Sequence, residues 1–336
     1  MTRRFGIGLM MAVLAGGAIF LAVTFVPGCG RKNGADSKKM KVAIFNFPGY
    51  MPIRLAEKKQ FFDGVDVEIV KIEDTTARRA ALSSGSVDGS VDIVDSFICG
   101  RASGIPATVV LKIDDSMGAD GIVSKKEIKS IRDLRSKSVA FAKDQPSHFF
   151  LVALLEREGM TMRDIVAKPM SNADEAGTAF LSDQVDAAVT WEPYLTKAKG
   201  KPNGHILASS KETPGLIVDV FTVHENYLKD KPDNVTAFLK GWFKAVEFWK
   251  ENPAEANKIM AEAMDVSVDE FVEQVSGLKY GDLAENRLFF RKGADGLSPF
   301  LRLVGQANKV WIQEGVIKAP VDPASIDSSS HVLGIQ

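Results

Sequence analysis

Cysteine is nearly absent from this chain of 336 residues: Cys29 and Cys99 are the only two. A disulfide framework needs more thiols at regular spacing, so the body must hold together through its core, which a chain of this size can do. Cys99, in Phe97-Ile98-Cys99-Gly100, reads either as a small buried hydrophobe or as a reactive thiol. The four histidines are widely spread and give no metal-ligand spacing, so no metal is expected. There is no G-x-S-x-G, no H-E-x-x-H, no P-loop and no G-x-G-x-x-G. Those gaps leave only a catalytic site assembled in space. Excess charge is lacking too. The formal net charge is −1, and it becomes −3 without the first 28 residues, which carry Arg3 and Arg4 and no acid. A nucleic-acid binder shows the opposite balance, and no nucleic-acid partner is expected. Low-complexity segments are absent.

What is present begins at the N-terminus. Arg3 and Arg4 precede an uncharged, mostly apolar stretch from Phe5 to Val26. It ends in Val26-Pro27-Gly28-Cys29, and the chain then turns polar. A positive start, an apolar middle and a small residue at the cut describe an export signal. Cysteine directly after the cut resembles the lipobox of bacterial lipoproteins, in which that thiol is acylated. The expectation is a signal peptide over 1–28, lipidation at Cys29 and a flexible tether over 29–39. The alternative is an uncleaved anchor, since ~20 apolar residues span a bilayer. Either way the body lies outside the cytoplasm, tied to a membrane.

The remainder is long enough for two domains or lobes. Lys41–Phe45 reads as a strand, Asn46–Tyr50 as a turn, and Pro52–Phe62 as a helix. Val65–Val70 alternates with period two. Asp74-Thr75-Thr76 has N-cap chemistry ahead of Ala77–Leu82. This rhythm predicts a parallel sheet with crossover helices. The chain then echoes itself. Val42-Ala43-Ile44 recurs as Val139-Ala140-Phe141, and Leu82–Val91 recurs as Leu181–Val189, both about 97 positions on. Two similar α/β lobes follow, one spanning 40–120 plus 219–336 and the other 121–218. Leu216–Val223 is a strand returning the chain to the first lobe. The last third is helical: Pro232–Lys250, a helix from Pro253, Val268–Val275 and Pro299–Glu314. Its Phe/Trp stripe reads as core packing.

In open parallel sheets, ligands bind at the carboxyl ends of strands. Two lobes facing across a cleft would gather Asn46–Tyr50, Asp95-Ser96, Lys143–His148 and Thr190–Tyr194, and could close by hinge motion. The candidate ligand-binding residues are Phe47, Tyr50, Thr75, Asp95, Ser96, Asp120, Ser147, His148, Trp191, Glu192 and Tyr194. Each has a plainer role. Trp191, Phe47 and Tyr50 are pocket wall or core. Ser147 at a helix start offers a hydroxyl to an anion or caps the helix; Asp95 and Ser96 share that ambiguity. His148 is a ligand contact or a surface residue. Asp114, Asp115 and Asp120 lie on a solvated loop or line the cleft.

Gly49-Tyr50-Met51-Pro52 followed by Leu55-Ala56-Glu57-Lys58-Lys59-Gln60-Phe61-Phe62 resembles the opening of substrate-binding proteins of nitrate, sulfonate and taurine ABC importers. Gly118–Ile122, Ile131-Arg132-Asp133-Leu134, Val185–Val189, Trp191-Glu192-Pro193-Tyr194 and Phe248–Pro253 continue the resemblance in order. It implies a two-lobed periplasmic-binding-protein fold of type II, with two crossovers and a helical C-terminal segment. It implies capture of a small solute outside the membrane by a monomer without a cofactor, and delivery to an ABC permease. The superfamily also holds binders of thiamine-related pyrimidines and a pyrimidine synthase. That enzyme carries a cysteine-rich motif, whereas this body has Cys99 alone, so no enzyme is expected. The nominated loops carry Asp95, Asp114, Asp115, Asp120 and Glu192 against Lys143. A buried unpaired charge is costly, so a zwitterion, amine or nitrogen heterocycle fits those loops better than a bare anion. A ligand-sensing lipoprotein and an extracytoplasmic enzyme remain as alternative readings.

Overall fold

The structure, a computed structural model, describes residues 39–335. Cys29, the export segment and nearly all of the tether lie outside the described residues. Strands β1 (Lys39–Ile44), β2 (Asp66–Lys71), β3 (Gly89–Ile93) and β4 (Ala107–Ser116) are linked in turn by helices α1 (Met51–Lys58), α2 (Thr75–Ser83) and α3 (Val94–Ala102). Then come β5 (Asp120–Lys125), β6 (Ser138–Ala142), β7 (Val166–Met170), β8 (Ala187–Trp191) and β9 (Gly204–Ser209), with α4 (Pro146–Arg157), α5 (Ala173–Leu181) and α6 (Tyr194–Gly200) between the last four. Strand β10 (Val218–His224) leads into α7 (Glu225–Asp230), α8 (Pro232–Glu251), α9 (Pro253–Met264) and α10 (Val268–Val275). Short β11 (Leu278–Tyr280) precedes α11 (Leu283–Phe290), α12 (Pro299–Gln313) and α13 (Ser330–Leu333).

Two sheets result, with strand orders β11-β4-β10-β3-β1-β2 and β7-β6-β8-β5-β9. The sheets are mixed rather than wholly parallel. β1 pairs parallel with β2 and β3, and β6 with β7 and β8. In the first sheet β10 is antiparallel to β3 and β4, and β11 to β4; in the second, β5 is antiparallel to β8 and β9. Strands β10 and β5 each enter directly from the other sheet, so each arrives in the reverse sense. Short strand runs and helix runs read alike in either sense, so periodicity did not reveal this.

The sequence echo has a structural cause. Asp88 accepts a 2.7 Å bond from the Lys41 amide through its carboxylate. Its own amide donates to the Lys41 carbonyl, and its carbonyl accepts from the His224 amide. Asp186 repeats the scheme with Ser138 and Lys125. Each Val-Asp pair thus ties two parallel strands near their starts to the end of an antiparallel strand and fixes their register, on which the buried face depends.

The helical tail packs on the first sheet. Phe238 stacks on Phe221 with ring centroids 4.3 Å apart, and the buried Trp242 indole donates to the Gly281 carbonyl. The aromatic stripe is core, as expected, and each such side chain contributes roughly 1.5–3 kcal/mol on burial. Helix α4 is buried from Pro146 through Leu155. A helix apolar all round must be covered all round, and the far face of α4 is met by α3 and α12. Trp311 of α12 packs on Phe149 and His148, while Lys309 pairs with Glu156.

The two crossovers, β4 to β5 and β9 to β10, run side by side. The Ser116 and Ser210 hydroxyls lie 2.7 Å apart, Ser210 Oγ accepts from the Gly118 amide, and the Ser116 amide donates to the Ile217 carbonyl. These bonds tie one crossover to the other, so the two can move together as a hinge.

Candidate functional site

A cavity of about 790 Å³ opens between the sheets. It is lined by the loops that follow all six mutually parallel strands: Phe45–Pro48 after β1, Glu73–Thr76 after β2, Ile93 and Ser96 after β3, Gln145 and Pro146 after β6, Ser171 and Asn172 after β7, and Glu192 and Pro193 after β8. Trp191, Ala119 of the first crossover, and Met264, Val266 and Gln274 of the helical tail complete it. Strand carboxyl ends converge because the connecting helices return each chain to the same edge.

Phe47, Thr75, Ser96, Trp191 and Glu192 line this cavity. The Trp191 indole donates to Asp174 Oδ1 at 2.7 Å, which orients the ring at the wall. Glu192 accepts from the Thr196 amide and hydroxyl, each at 3.0 Å. Thr75 Oγ1 accepts from Arg78 at 3.3 Å.

The other nominated residues lie elsewhere. Ser147 is turned back to Ala142, accepting from its amide at 2.9 Å. His148 sits between Phe141 and Trp311, and burial lowers its pKa. Tyr194 lies over Gly177. Tyr50 is buried and donates to Asp219 Oδ1 at 3.0 Å. Asp95 is 1 % exposed, and neither of its carboxylate oxygens meets a donor among the described residues. Burial, with repulsion from Asp92, pushes its pKa up to about 8. Asp120 accepts from the Ser116 hydroxyl at 2.7 Å; burial raises its pKa to about 6 against that bond.

Asp114 and Asp115 are buried on β4 rather than solvated. Asp114 faces Asp219 across the β4–β10 register. Burial raises both carboxyls, Asp114 to about 7, and repulsion from Asp114 adds to the rise at Asp219. Like charges so placed each disfavour ionisation of the other. Gly49 is obligatory above them, because a Cβ there would stand 2.2 Å from Asp114 Oδ2.

The sequence-based charge count is therefore corrected. Of Asp95, Asp114, Asp115, Asp120 and Glu192, only Glu192 lines the cavity, and Lys143 does not. The cation that does is Arg78, which the sequence reading passed over. It stands beside Arg79 on a nine-residue amphipathic helix, where paired arginines read as a solvated face. Gln145, Asn172 and Asp174 were missed too, since isolated polar residues at helix starts carry no distinguishing signal. The remaining lining acids are held by local donors. Glu73 accepts from the Asn46 amide, Asp74 caps α2 through the Ala77 amide, and Asp92 meets Arg79 and the Ile93 amide. Among the described residues, no histidine, cysteine or lysine lines the cavity. Among the described residues the site offers oriented aromatic wall, hydroxyls, amides, one guanidinium and five carboxylates already held by local donors, a set suited to holding a solute.

The NMT1/THI5-like family profile matches residues 47–256. A protein of Bacillus subtilis (strain 168) named for binding aliphatic sulfonates is 29 % identical over 260 residues, 74 % of this chain and 78 % of that one. The 4-amino-5-hydroxymethyl-2-methylpyrimidine phosphate synthase THI11 of Saccharomyces cerevisiae is 22 % identical over 236 residues, covering 63 % of this chain and 66 % of its own. The crystal structure of the periplasmic aliphatic sulphonate binding protein SsuA from Escherichia coli superposes with a TM-score of 0.71 at 17 % identity, over 86 % of this chain and 91 % of that one. That likeness shows the two-lobed periplasmic-binding-protein fold, and with the family profile it places the chain: it belongs to the NMT1/THI5-like family.

Proposed function

We propose that this protein is the extracytoplasmic solute-binding component of an ABC importer. It captures one small organic solute in the cleft and hands it to the permease unchanged. The observation that carries this reading is the cavity itself: about 790 Å³, walled by loops from two sheets between which the chain crosses twice. Pockets of this size take small organic ligands. The lobes are residues 40–120 plus 219–336 and residues 121–218, and closing one on the other sequesters the solute. Phe47, Thr75, Ser96, Trp191 and Glu192 form its walls. The relatives named for sulfonates support a solute of that type. Acylation of Cys29 holds the monomer beside its permease. A catalytic reading finds no support in the lining, and Cys99 is buried with its thiol pKa raised by burial, the opposite of an activated nucleophile.

Uptake of radiolabelled alkanesulfonate by cells with and without this protein tests the proposal. Loss of uptake on deletion, restored by the full chain, is the expected result. Unchanged uptake of every solute in a sulfonate, nitrate and pyrimidine panel would refute it.

A further inference from the structure

We infer that Arg78 is an oxyanion receptor built into the first-lobe wall of the cleft, and that the solute is an organic oxyanion with a ring-sized apolar body. The inference rests on the cleft being the solute site, as proposed above. Arg78 is 4 % exposed yet lines the cavity. Its guanidinium is fixed on one side by neutral acceptors. Nη1 donates to the Ile72 carbonyl at 3.0 Å and the Glu73 carbonyl at 3.2 Å, and Nη2 donates to Thr75 Oγ1 at 3.3 Å. Phe45 supports it with the guanidinium carbon 4.4 Å from the ring centroid. These contacts orient the group without cancelling its charge.

No carboxylate lies within ion-pair distance of Arg78 among the described residues, and Nε–H and one Nη2–H have no acceptor there. The lining acids are committed: Glu73 to Lys71 and the Asn46 amide, Asp74 to its helix, Asp92 to Arg79, Asp174 to the Trp191 indole and Glu192 to Thr196. A buried cation without a counter-charge is costly, and a rigid fork with free hydrogens suits an oxyanion. A merely structural arginine tying down the β2–α2 turn would use the same carbonyls, but it would not need a free edge on a cavity. The rest of the wall sets the ligand's body. Phe47, Trp191, Met264 and Val266 are apolar surfaces on a space far larger than nitrate requires.

The test is calorimetric binding by the full chain to p-toluenesulfonate, its neutral isostere p-toluenesulfonamide, and nitrate. The sulfonate should bind on the order of 10–100-fold tighter than the sulfonamide, the range for hydrogen bonds to a charged partner, and nitrate should bind far more weakly than either. Arg78→Gln should bring the sulfonate/sulfonamide ratio close to one, and Arg78→Lys should leave it intermediate, with folding checked by circular dichroism. Should Arg78→Gln not fold, the wild-type ratio decides alone. Equal affinity for sulfonate and sulfonamide overturns the inference while leaving a solute-binding cleft intact. A ratio that survives in folded Arg78→Gln, or nitrate binding as tightly as the sulfonate, overturns it as well. Binding of none of the three also overturns it, and the transport reading is then judged by the uptake experiment.

Discussion

Replacing Asp95 by Asn should change how stability depends on pH, in a direction opposite to that of most carboxylates. Asp95 lies in the first turn of α3, 1 % exposed, with no donor to its carboxylate among the described residues. Burial raises its pKa to about 8, far above the ordinary aspartate range near 3.9. Between those values the native state binds a proton that the unfolded chain has released. Stability therefore falls as pH rises through this window, by about 1.36 kcal/mol per pH unit. From pH 5 to pH 7 the wild type should lose roughly 2.7 kcal/mol through this one group. Asn is nearly isosteric with the protonated acid and does not titrate. Its buried amide lacks partners, so at pH 5 the variant should be less stable by about 1–3 kcal/mol, and the two proteins should converge or cross towards pH 7. Urea unfolding at pH 5, 6 and 7 measures the difference, and the other titrating groups cancel in it. A difference that stays constant across the three pH values would refute the reasoning.

Three further outcomes are expected. Trp191→Ala should weaken solute binding by about 1–3 kcal/mol, the scale of a lost buried aromatic contact, with the fold intact by circular dichroism; unchanged affinity would remove the ring from the binding wall. Asp120→Asn disturbs a carboxylate that accepts from the hinge residue Ser116 and does not line the cavity. Calorimetry should show charged and neutral analogues weakened by one common factor, and a selective loss would place Asp120 on the ligand. Wild-type protein should incorporate labelled palmitate in cells and Cys29→Ala should not; a wild type that takes up no label contradicts acylation.

Much of the architecture was legible because it repeats. The Val-Asp pairs at Asp88 and Asp186 recur since each ties together three strands of its sheet, and local hydrogen-bond chemistry leaves a local signature. The wall positions of Phe47, Ser96 and Trp191 followed from the rule that ligands meet strand ends. Sequence distance hid the rest. His148 looked like a helix-start surface residue, but α12, more than 150 positions on, covers it with Trp311. Asp114 looked solvated because three acids in a short run usually are, yet β10 and Gly49 enclose it. Arg78 could not be told from Arg79 by pattern, as burial alone separates the arginine that faces the cavity from the one paired with Asp92.

The central claim is that one small solute binds in the cleft between the two sheets and leaves it unchanged. Titration calorimetry of the full chain with an organic sulfonate, followed by mass spectrometry of the released compound, measures both halves at once. A single site per chain is expected, weakened by Arg78→Gln and by Trp191→Ala, with the sulfonate recovered intact. Binding indifferent to both substitutions, or recovery of a chemically altered product, would contradict it.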